Sequence, residues 1–102
     1  MAEFTTVGRA EEIGEGQVKA FEAGGQQVAV TRIEGALYGF GDTCTHRGCS
    51  LATGEIQGTV IECECHGSVF DMTSGAVVEG PAEDPVPTFP VRDEGGELQI
   101  EA

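Results

Sequence analysis

Apolar residues in this chain recur at every second position in short runs, and glycines interrupt those runs before they lengthen. Leu98 and Ile100 alternate with Glu97, Gln99 and Glu101, the period-two pattern of a strand with one wet and one buried face. Val28 and Val30 repeat it within residues 27–31, and Gly24-Gly25 separates that run from residues 18–22, so the two predict a hairpin. Further strands are predicted at 4–7, 36–40, 59–62, 69–71, 76–79 and 88–92. Turns are expected at Glu34-Gly35, at Thr73-Ser74-Gly75 and from Asp93 to Gly96. Gly54 and Gly58 bracket Glu55-Ile56-Gln57. Residues 80–87 contain Pro81, Pro85 and Pro87, which remove backbone donors and fix φ, so no regular element is expected there. No ten-residue stretch has a helical period, and no internal repeat or linker is visible. The pattern predicts an all-β fold, an antiparallel sandwich or small barrel, in one domain over residues 1–102. A loop-built subdomain is expected at roughly 42–85.

Composition sharpens this picture. With 102 residues there is room for one modest core, which a metal or a disulfide would reinforce. The formal net charge is −13, from eighteen acids against five bases. Nucleic acid and anionic membrane surfaces both require a basic face, so neither is an expected partner. Excess acid either steers the protein toward basic patches on other proteins or simply keeps it soluble, and both readings stay open. No apolar run is long enough to span a bilayer. Met1-Ala2-Glu3-Phe4 has neither the basic start nor the apolar stretch of an export signal, and a cytoplasmic location is the expectation.

The chemistry is concentrated in two loops, Cys44-Thr45-His46-Arg47-Gly48-Cys49 and Cys63-Glu64-Cys65-His66-Gly67-Ser68. They contain all four cysteines and both histidines. Each offers one Cys–His pair, Cys44 with His46 and Cys63 with His66, and soft thiolate beside imidazole marks a metal site. A structural zinc site repeats a matched pair, Cys-x2-4-Cys or His-x3-5-His. One ligand of each kind per loop suits instead two neighbouring metals of different character. Two disulfides of a small secreted module are a rival reading, set against the absence of an export signal. Arg47 is either a solvated tip or a docking contact, and Gly48, Gly54, Gly67 and Gly75 read as turn residues.

This Cys-x-His…Cys-x-x-His pattern resembles the Rieske [2Fe–2S] motif, in which two histidines replace two cysteines on one iron. The chain is similar to soluble Rieske-type ferredoxins over nearly its whole length, with the specific match at residues 42–85. The resemblance implies one [2Fe–2S] cluster per chain, with Cys44 and Cys63 on the inner iron and His46 and His66 on the outer one. It implies that the segment from Pro81 to Pro87 covers the cluster on a third side. It also implies an electron carrier, not an enzyme, with no small-molecule substrate of its own. Its protein partners would be a flavin-dependent ferredoxin reductase and a terminal oxygenase such as an aromatic-ring dioxygenase.

Two features depart from that pattern. Cys49 and Cys65 resemble the loop-bridging disulfide of Rieske proteins in cytochrome bc complexes, which many oxygenase ferredoxins lack. Ser68 matches a serine whose hydroxyl bonds a cluster sulfide, whereas Phe70 stands where those proteins carry a tyrosine; Phe70 is most simply core packing. The alternatives are a Rieske subunit of another redox complex and, from a different class, a structural zinc module or redox sensor. An oxygenase proper needs a separate mononuclear iron, commonly held by two His and a carboxylate, and both histidines are already committed.

Overall fold

The structure, a computed structural model, describes residues 4–43, 49–64, 67–80 and 82–102. Its strands are β1 (Phe4–Arg9), β2 (Val18–Ala23), β3 (Gln26–Ile33), β4 (Ala36–Gly41), β5 (Glu55–Gln57), β6 (Val60–Glu62), β7 (Val69–Asp71), β8 (Val77–Glu79), β9 (Thr88–Phe89), β10 (Val91–Glu94) and β11 (Glu97–Glu101). Single 3-10 turns occupy Ala10–Glu12 and Leu51–Thr53, and no α-helix occurs among the described residues. The strands form three antiparallel sheets, ordered β1-β11-β10, β2-β3-β4-β9 and β5-β6-β7-β8. The all-β antiparallel expectation holds. The β2–β3 hairpin is closed by Gly24 and Gly25 at φ +58° and +80°, where a side chain would be strained, with Ala23 facing Gln26.

The middle sheet is buried on both faces. Val28 and Val30 of β3 point into one core with Leu98, Ile100, Ala10, Ile13 and Ala23. Ala29, between them, points the other way and joins Phe40, Ile61, Phe70 and Met72. The sequence alternation marked only the first face, because a small alanine between two valines reads as a neutral position. Burying Leu98 and Ile100 completely contributes about 1.5–3 kcal/mol each.

The strand expected at 88–92 is two strands in two sheets. Thr88–Phe89 pairs with β4, and Val91–Glu94 pairs with β11. Pro90 stands at the break. It has no N–H to give a ladder, but its carbonyl accepts the Glu101 amide at 3.0 Å. The chain therefore crosses from the middle sheet to the outer one at the residue that least resists leaving a ladder.

Candidate metal centre

The first loop is fastened at its base by Asp42, which follows β4 and is only 5% exposed. Its Oδ2 accepts the Ser50 hydroxyl at 2.7 Å, and its Oδ1 accepts the Ala52 amide at 2.9 Å. Its backbone carbonyl accepts the Leu51 amide at 2.6 Å, and Thr43 bridges Ser50 beside it. A carboxylate is acceptor-only, so one short side chain can gather a hydroxyl and an amide from the far end of the loop. Residues 43 and 50 are thus held together without help from anything the loop binds. In the sequence Asp42 stands at the entry to this loop and Ser50 at its exit, flanking the first Cys–His pair, and that spacing is the one signal of the clamp.

The second loop is the turn of the β6–β7 hairpin. Glu62 pairs with Val69, and inside that pair the Cys63 amide donates to the Ser68 carbonyl at 2.7 Å. The Gly67 amide returns to the Cys63 carbonyl at 3.0 Å, with Gly67 at φ +77°, a conformation that L side chains resist. Cys63 is buried at 1% exposure in the core formed by Ile61, Phe70 and Leu51.

Residues 82–87 are fastened to the second loop, to the turn after β7 and to the end of β4. The Ala82 amide donates to Ser68 Oγ at 3.0 Å, and Ser68 is fully buried. The Val86 amide donates to the Gly75 carbonyl at 2.9 Å, and the Gly41 amide donates to the Pro87 carbonyl at 2.8 Å. Gly75 sits at φ +79°, and a Cβ there would collide with the Val86 carbonyl, so a glycine is required for the close approach. The Asp71 carboxylate shapes the intervening turn, accepting the Thr73 hydroxyl at 2.6 Å and the Thr73 and Ser74 amides. The Thr73 hydroxyl above all, helped by those amides, holds its pKa below the ordinary carboxylate value.

Leu51, Cys63, Ala82 and Val86 meet in one core cluster, with Cys49 packed against it. The two loops and the proline-bearing segment therefore converge. Of the residues singled out in the sequence, Cys49, Cys63 and Ser68 are brought together here; Phe70 is core, as expected. Cys44, His46, Cys65, His66 and Pro81 lie outside the described residues. Cys49 is disulfide-bonded. Among the described residues alone, no group of three metal-ligating side chains comes together.

The described residues fit an iron–sulfur group. Cys63 presents a soft donor at a buried, hydrogen-bonded hairpin end. The Ser68 hydroxyl accepts from Ala82, which leaves its own proton to donate to a neighbouring acceptor.

Comparison with known proteins agrees. The Rieske [2Fe–2S] domain profile matches residues 3–90. The ferredoxin component of the naphthalene 1,2-dioxygenase system of Pseudomonas aeruginosa is 32% identical over 90 residues, covering 88% of this chain and 86% of that protein. The ferredoxin of carbazole 1,9a-dioxygenase from Nocardioides aromaticivorans IC177 superposes with a TM-score of 0.90 at 27% identity, covering 96% of each chain. A ferredoxin solved in complex with the reduced oxygenase of carbazole 1,9a-dioxygenase superposes at 0.88 with 31% identity, covering 96% of this chain and 92% of that one. Motif, converging loops and full-length likeness lead to one conclusion: this chain belongs to the Rieske [2Fe–2S] domain family, among its small ferredoxins.

Proposed function

We propose that this protein carries single electrons from a flavin-dependent ferredoxin reductase to a terminal oxygenase. The observation that carries the reading is the convergence of both Cys–His loops and residues 82–87 on the Cys63 core, in a chain like a ferredoxin solved with its oxygenase. Cys44 and Cys63 are the thiolate ligands, and His46 and His66 are the imidazole ligands. The bound [2Fe–2S] cluster supplies a one-electron couple, and the protein residues hold it and set its surroundings. Asp42 and the Cys63–Ser68 backbone pair fix the loop bases, which limits the rearrangement that accompanies each electron. Ser68 directs its hydroxyl proton toward a cluster sulfur, and residues 42–85 act as the cluster-holding unit of a single domain.

The disulfide of Cys49 is assigned to Cys65, tying the two loops to each other. The protein acts in the cytoplasm. No helix among the described residues is long and apolar enough to cross a membrane.

The test is the composition and spectrum of purified protein. Two irons and two sulfides per chain, with the low-average-g signal of a reduced Rieske centre, are expected. Stoichiometric zinc without sulfide would sink the reading. Replacing His46 or His66 by Cys should lower the potential, because another anionic ligand favours ferric iron.

A further inference from the structure

The outer face of the β5–β8 sheet has features that the cluster-holding role leaves unused. Its register sets Glu55 opposite Glu62, Glu62 opposite Val69, and Val69 opposite Glu79, a row across four strands. Like charges directly opposite one another repel. The ion pairs among the described residues are Arg9–Glu11, Lys19–Glu12 and Arg92–Glu94, all on other elements, so none relieves this row. From residue 49 to residue 91 the chain contains no lysine or arginine.

The face also has an apolar centre. The β7–β8 register slips by one residue, so that Phe70 faces Val77 and Val69 faces Glu79, leaving Val78 as the extra residue of a bulge. Val77 packs inward against the Phe70 core, whereas Val78 is 54% exposed, the one large apolar side chain so exposed among the described residues. Val78, Val60 and Val69 line a shallow groove of about 240 Å³ rimmed by Glu55, Glu62 and Glu79. Through Glu55 and Glu62 this groove continues into a second of about 370 Å³, which reaches Cys63, Glu64 and Gly67 of the second loop.

We propose that this face, from Val78 to Glu64, is a docking surface for a redox partner protein that presents lysine and arginine side chains around a small apolar contact. The inference rests on the electron-carrier reading for the partner's redox role. Its recognition chemistry stands on the face itself. A second copy of this chain would set carboxylates against carboxylates, so it is not the occupant. A basic partner would neutralise the Glu55–Glu62 repulsion and cover Val78 in one contact. It would also lie over the second loop, where the electron enters or leaves.

Ferric cytochrome c, a basic electron-transfer protein, serves as the probe, titrated calorimetrically into the holoprotein at low ionic strength. Glu55→Gln/Glu79→Gln should weaken binding about three- to tenfold. Glu11→Gln/Glu94→Gln removes the same two charges from other elements and should cost less than about twofold. Val78→Ser should also weaken binding. Equal losses from the two pairs, unchanged affinity in Val78→Ser, or no binding by wild type would each overturn the surface. Iron and sulfide analysis judges the electron-carrier reading separately. Protein that binds in the expected pattern yet carries no cluster would refute that reading and leave the surface standing.

Discussion

Asp42 and Ser68 each join two pieces of chain around Cys63, and each can be tested by removing its oxygen. Asp42→Ala leaves the Ser50 hydroxyl and the Ala52 amide without their acceptor in a part-buried site. It should cost about 1–3 kcal/mol, seen as a lower unfolding midpoint and faster bleaching of the cluster. Ser68→Ala strands the buried Ala82 amide. It should lower both stability, by about 1–3 kcal/mol, and reduction potential, since donors to cluster sulfur favour the added electron. Stability loss with an unmoved potential would confine Ser68 to fastening residues 82–87. Asp71 gives a pH signature. Its folded pKa is held down by the Thr73 hydroxyl and neighbouring amides. Its contribution is therefore complete above the unfolded value of about 3.9 and is lost as pH falls through the lower folded value. Asp71→Asn should be less stable than wild type at pH 7, with the gap in denaturation midpoints closing in strong acid. A gap that persists there would assign the effect to packing.

At the scale of elements, the site is a meeting of three connections, none with a strand or helix among its described residues. The two loops and residues 82–87 are each held at their ends, by the Thr43–Ser50 bridge, the Glu62–Val69 pair and the bonds to Gly41, Ser68 and Gly75. A bridge from Cys49 to Cys65 would tie the first two to each other. The chain-entropy account gives about 3 kcal/mol for closing such a loop, less any strain. Cys49→Ser/Cys65→Ser should still take up a cluster but lose it faster. Alkylation before cluster release, followed by mass spectrometry, reads the bridge directly. Both thiols alkylating fully would exclude it.

For the whole molecule, charge is the dominant long-range property. Net charge is −13, and the described cations Arg9, Lys19, Arg32 and Arg92 all lie on β1, β2, β3 and β10. The sheet below the cluster loops is thus left with one sign. Electron exchange with a basic partner should slow as salt rises toward physiological strength, where the Debye length is about 8 Å. A rate that is flat or rising with salt would mean that the acid serves solubility alone.

The sequence by itself determined what depends on local chemistry. Alternation fixed the strands, as Leu98 and Ile100 show, because a half-buried strand must expose every second residue. Gly24-Gly25 fixed a hairpin, because only glycine enters two positive-φ positions cheaply. The doubled Cys–His spacing marked a metal site, since ligand types carry their metal preference wherever the chain goes, and its resemblance to the Rieske motif named the cofactor. Tertiary structure alone decided the rest. That Ala29 is core depends on a second sheet covering β3 from the other side. That 88–92 divides at Pro90 depends on two sheets competing for its halves. Asp42 became a clamp, and Val78 an exposed contact, through the loop closure and strand register that placed Ser50 and Phe70 beside their partners. Such pairings join residues distant along the chain or shifted by a single register step, and no local pattern encodes them.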